Sequence, residues 1–271
     1  HRDFNPFRLP LVQAKSHVLA FALRGLDETA HKVLHTIAAF RMPATYDTLV
    51  ALLVSNENKD KPFRSENALV AVLSDLEDRG LLGWDRRANR YDLHPIVRGV
   101  AWNELDNQTR QGIYETLSTH FESLPMIDNW REVNSLEDLS GAIELYNTLI
   151  GLGRYDDAVD LFQEHLQDAL LYRLGTQRQL AELLEMLFPD GLDQLPRLST
   201  LRAQSYMLHV LATSIGDQVE RAASLYRRSI DMEKKEGDVP ACAVYLMSSA
   251  SLEPCVSQNL LRAGHCLSHV S

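Results

Sequence analysis

The chain has 271 residues and a mass of 30.7 kDa, with 27 Lys and Arg against 37 Asp and Glu, for a net charge of −10. That length suits one large domain or two ordinary ones, and an apolar share of 45% is enough for a core without disulfides. The acidic balance argues against a general nucleic-acid binder, whose affinity rests on cations facing phosphates, and no apolar run approaches the ~18 residues of a membrane span.

Glycine and proline are sparse and apolar residues recur at three and four, so most of the chain reads as helix. Residues 1–25 read as a linking helical segment. Asp27 then caps a helix whose apolar face is Val33, Leu34 and Ile37, ending near Pro43. Thr45 or Asp47 starts a second helix with Leu49, Leu52 and Leu53. After a polar loop, Ser65 opens a third, with Leu69, Val72, Leu73 and Leu76, closed by Gly80 as a left-handed cap. Leu81 to Trp84 and Arg90 to Leu93 flank a charged turn and predict a hairpin. Three helices followed by a hairpin is the order of a winged helix, a helix-turn-helix variant, over residues 26–105. Pro95 suits the first position of the next helix, which runs to Leu105.

Residues 106–271 read as paired helices. The segment Gly153-Arg154-Tyr155-Asp156-Asp157-Ala158 with Phe162 resembles the segment from Asp217 through Ala222 to Tyr226. Ala158 and Ala222 are 64 residues apart, close to twice the ~34-residue tetratricopeptide (TPR) period. A small Ala lets helices approach, and the aromatic four residues on fills the same face. Gly153, Tyr155, Ala158, Phe162, Ala222 and Tyr226 are therefore the expected packing positions of a solenoid with a concave face for a protein or peptide ligand. The expected fold is mainly α, a winged helix with a small β-hairpin followed by an α-α superhelix of TPR-like pairs. Residues 248–271 are atypical, with poorer periodicity and only Glu253 and Arg262 charged.

The three cysteines, Cys242, Cys255 and Cys266, are too few and too clustered for a disulfide framework and fit a reducing, cytoplasmic compartment. The chain lacks an initiator Met, and its polar start shows no signal peptide; it reads as an excised piece of something longer.

No GxxxxGK[ST] loop, HExxH, GxSxG or CxxC is present, so the expectation is no enzyme activity in this chain. His31 and His35 lie one helical turn apart, and Cys255, His265, Cys266 and His269 cluster near the end. The first pair could present two imidazoles to a metal but no nearby acid or Cys completes a set, and the second spacing matches no zinc pattern; the readings preferred are a polar helix face and a loosely ordered tail. A winged helix reads DNA with its third helix, which here carries Glu66, Asp75, Glu77 and Asp78 against Arg64 and Arg79. Those carboxylates disfavour DNA. Arg86, Arg87 and Arg90 on the turn are the one place suited to a DNA or phosphate contact.

The stretch Arg90-Tyr91-Asp92-Leu93-His94-Pro95-Ile96-Val97-Arg98 resembles the end of the winged helix in the signal-transduction ATPases with numerous domains (STAND, including the NB-ARC group). There a hydrophobic-His-Asp tripeptide opens a helix and continues with a hydrophobic pair and Arg. Arg79-Gly80-Leu81-Leu82 before the hairpin is similar too. The resemblance implies that this chain is the winged-helix and repeat region of such an ATPase, with an adjacent NTPase domain as partner. It also implies ADP or ATP as the parent's cofactor and none in this chain. In that family the motif histidine reaches the β-phosphate of bound ADP, which makes His94 the matching nucleotide-phosphate sensor. Pro95 stands where the family has Asp, so the carboxylate role at that position is missing. The alternative to this regulatory reading is a DNA-binding transcription regulator with a TPR sensor.

Overall fold

A computed structural model describes residue 23 and residues 25–58, 61–215 and 218–236. The expected linking segment, nearly all of it within residues 1–22, Asp217, and the Cys255, His265, Cys266 and His269 cluster lie outside the described residues. The described chain is mainly helical with one small antiparallel sheet. It divides into two compact units. Among the described residues no helix is long and apolar enough to cross a membrane.

In the first unit, α1 spans Glu28–Ala39, and its Asp27 cap accepts the Ala30 amide at 2.7 Å. Val33, Leu34 and Ile37 are fully buried. Strand β1, Ala44–Thr45, leads into α2, Tyr46–Leu53, capped by Thr45 through the Thr48 amide. Helix α3, Glu66–Asp78, is capped by Ser65 and ends at Gly80, whose φ of +69° is the left-handed conformation glycine favours. Strands β2, Gly83–Asp85, and β3, Arg90–Asp92, form the expected hairpin. The sequence gives no hint of β1, which pairs with the far side of β3, Ala44 opposite Tyr91, so the sheet order is β1-β3-β2.

Helix α4, Pro95–Asn103, has Pro95 in its first turn, where a missing N–H costs nothing. Helices α5, Asn107–Glu122, and α6, Ser140–Gly151, pack against each other in this first unit. Both fall in the stretch that the sequence assigns to the repeat half.

The second unit takes residues 126–139 and those from Gly153 onward. Helix α7, Tyr155–Leu161, continues as two wider π turns, Phe162–Leu166 and Ala169–Arg173. Helix α8, Gln177–Glu185, packs on the second of these turns and on α9, Leu201–Ser214. Helix α10, Val219–Glu236, forms with α9 the most extensive helix pair of the unit.

Candidate functional site

His94 sits at the junction of β3 and α4. Leu93 before it is 2% exposed and anchors the chain in the core. With φ of −55° and ψ of 138°, His94 is the N-cap of α4, and its ring Nδ1 accepts the Ile96 amide at 3.3 Å. A ring nitrogen that accepts carries no proton, so the ring's proton is on Nε2. The residue is exposed, as are Pro95 and Ile96. The site therefore offers a hydrogen-bond donor beside an uncovered isoleucine.

What fixes that site is Arg98, one helical turn on. Its guanidinium donates to the carbonyls of Ile37 at 3.0 Å, Ala38 at 3.2 Å and Phe40, and to Asp92 Oδ1 at 2.5 Å. Asp92 Oδ1 also accepts the Leu93 amide at 2.8 Å. A helix leaves its last four carbonyls without intrahelical partners. Arg98 takes up two of those of α1, Ile37 and Ala38, with that of Phe40 just beyond, and Asn147 Nδ2 takes that of Ala39 at 2.9 Å. Asp92, the carboxylate three residues before Pro95, is engaged with Arg98.

The opposite polarity is met by Glu144 of α6. It is 3% exposed, and its carboxylate accepts the Arg41 amide at 3.0 Å on each oxygen and the Met42 amide at 2.5 Å. Burial pushes its carboxyl up to about 7, while those two amides, Arg98 and Arg41 pull the other way. Glu144 was not among the residues singled out from sequence. A signal existed: Ala142, Ile143, Leu145, Tyr146 and Leu149 are all buried, so α6 is apolar around most of its circumference and leaves a glutamate no solvent face.

The hairpin carries the three arginines, Arg86 and Arg87 in its turn and Arg90 at the start of β3. Asp85 Oδ1 accepts the amides of Arg87 and Ala88, and Asn89 takes a φ of 51°. Trp84 stacks on Tyr91 with ring centroids 5.7 Å apart and donates its indole N–H to Asn89. The Arg86 guanidinium lies 5.0 Å over the Trp84 ring and 3.6 Å from Glu77 of α3. Arg79 pairs with Asp75 at 2.7 Å. Two of the cations on this face are thus offset by carboxylates from α3. Arg87 is exposed and Arg90 half-buried.

Of the expected packing positions, Ala158, Phe162, Ala222 and Tyr226 are buried, and Tyr155 is half-buried. The Tyr226 hydroxyl bonds the Thr213 hydroxyl at 2.9 Å, and its ring meets His209 edge-on. Gly153 is exposed at φ +75°, so its role is the turn before α7 rather than close packing. His31 and His35 have ring centroids 5.7 Å apart, and His31 Nδ1 bonds the Asp27 carbonyl. Among the described residues no group of three His, Cys, Asp or Glu is placed to hold a metal.

No protein-family model matches the chain, and neither a curated protein nor a solved structure is significantly similar to it.

Proposed function

We propose that this chain is a non-catalytic regulatory module of a STAND-type ATPase. Residues 26–105 act as a winged helix coupled to the parent's nucleotide switch. The TPR-like helices hold a protein or peptide partner, and the adjacent NTPase domain supplies ADP or ATP. The order helix, strand, two helices, hairpin supports the winged-helix part, because the short β1 joins the hairpin as a third strand. The observation that carries the functional reading is the exposed edge of His94. Its Nδ1 is committed to capping α4, which leaves an Nε2 donor for an outside acceptor such as a phosphate oxygen. The uncovered Ile96 beside it suits a surface that another domain covers. The DNA-binding alternative is weakened by the pairing of Arg86 with Glu77 and of Arg79 with Asp75.

His94→Asn separates the two roles of the ring. Asn is among the best N-caps, so α4 stays capped, while the Nε2 donor is lost. In the polypeptide carrying its native upstream sequence, this variant is expected to bind ADP about tenfold more weakly, with unchanged thermal stability. Calorimetric titration with ADP reads this directly. Equal ADP affinity in the two proteins would sink the sensor role. Binding of duplex DNA at ~50 mM salt, lost on replacing Arg87 and Arg90, would favour the transcription-regulator reading instead.

A further inference from the structure

The first unit contains a cavity of about 390 Å³ that none of the roles above uses. Its walls come from α1, α2, the segment before α3, and α5. Leu52, Leu53, Pro62, Ile113 and Leu117 make them predominantly apolar. That volume lies in the ~300–1,000 Å³ range of small-molecule sites, which are typically apolar with a few polar groups at fixed places.

Two features show more than an accidental gap in packing. The first is Gly112, which lies within α5 and lines the cavity. A side-chain carbon there would meet nothing within 4 Å, so no neighbour requires the glycine. Glycine is among the poorest helix formers, yet here it keeps the wall open. The second is the polar edge. Thr36 and Thr116 each donate their hydroxyl to the carbonyl four residues back, Lys32 and Gly112, so neither hydroxyl proton is left for a ligand and the edge's charge falls to its other polar residues. His35 contributes a ring whose Nε2 is buried with no hydrogen-bond partner. Lys32 is the one charged residue among the described residues lining the cavity. Its partner, Glu28, is an exposed side chain on the same helix at 2.8 Å, a type of pair that is easily exchanged.

We propose that this cavity binds a small amphiphilic carboxylate. The apolar body lies against Leu53, Ile113 and Leu117, and the carboxylate meets the Lys32 ammonium. A cationic head is disfavoured by Lys32, and a strongly polar body by the leucine walls. The site is independent of His94, and its ligand spans α1, α2 and α5 of one unit.

The test uses the full chain with octanoate as probe and octanol as the uncharged control. Amide chemical shifts in ¹⁵N-labelled protein report the location, and calorimetry reports the affinity. Octanoate is expected to shift the Gly112 and Thr36 amides and to bind more tightly than octanol. Gly112→Leu fills the cavity from an unobstructed position and should weaken octanoate at least about tenfold while the protein stays folded, since leucine is the better helix former. Lys32→Met should weaken octanoate about threefold and leave octanol unchanged. The proposal is overturned if neither probe shifts these amides, if Gly112→Leu binds octanoate as the parent does, or if octanol binds as tightly as octanoate.

Discussion

Glu144 makes a prediction whose sign is unusual for a carboxylate. Its carboxyl titrates near 7 in the folded protein against 4.5 for an ordinary glutamate, and burial is the largest cause. Between those two values the native state holds a proton that the unfolded chain has released. Stability therefore falls as pH rises through the window, and the cost is complete above pH ~7. At 1.36 kcal/mol per pH unit the full cost is about 3 kcal/mol. Glu144→Gln carries no ionisable group, so it lacks this slope. It also has one acceptor oxygen where Arg41 and Met42 now use two, but that loss does not depend on pH. Asp27 and Asp106 are held below their ordinary range by backbone amides and contribute the opposite slope below pH 4, identically in both proteins. Urea unfolding at pH 5 and pH 8 isolates the Glu144 contribution as a difference of differences. The variant should gain about 2–3 kcal/mol on the parent between the two pH values. Parallel profiles for the two proteins would show that the buried carboxyl does not titrate in this window and would refute the reasoning.

Two substitutions test the packing around it. At Gly151 a side-chain carbon would lie 2.3 Å from the Tyr114 ring, so Gly151→Ala should cost about 1–3 kcal/mol by overpacking, read as a lower melting temperature, and Tyr114→Leu should recover part of it. Arg98→Lys keeps the charge but loses the planar fork that reaches the α1 carbonyls and Asp92 together, so a loss of about 2 kcal/mol is expected in the same assay; a fully stable lysine variant would mean the fork is dispensable.

What the sequence discloses here is what is local. Asp27, Ser65, Gly80 and Pro95 act within a few residues of themselves, and each stands at the helix end where residue type alone would put it. Strand β1 was hidden because two residues carry no periodicity, and its partner Tyr91 is remote in the chain. The π turns after Leu161 use the same leucines, alanine and phenylalanine that an α-helix would. His94 could be found as a helix start, but not the split of its two nitrogens between a cap and solvent. Arg98 stands out only as a motif position and Asn147 not at all, because their acceptors lie 58 to 61 and 108 positions away.

Those distant partners place a physical condition on the proposed switch. The last carbonyls of α1 are held by Arg98 of α4 and Asn147 of α6, and the Arg41 and Met42 amides just beyond it by Glu144 of the same α6. Each is a half-buried hydrogen bond whose loss would leave a donor or acceptor less well satisfied. Helix α4 therefore cannot shift alone. A displacement begun at His94 reaches Arg98 within one helical turn and must carry the end of α1 with it, or break several bonds at once. Packed interfaces of this kind have discrete arrangements rather than a continuous range. Nucleotide coupling through His94 thus requires α1, α4 and α6 to move as one body, and a ligand biases that motion only by the difference in its affinity for the two positions.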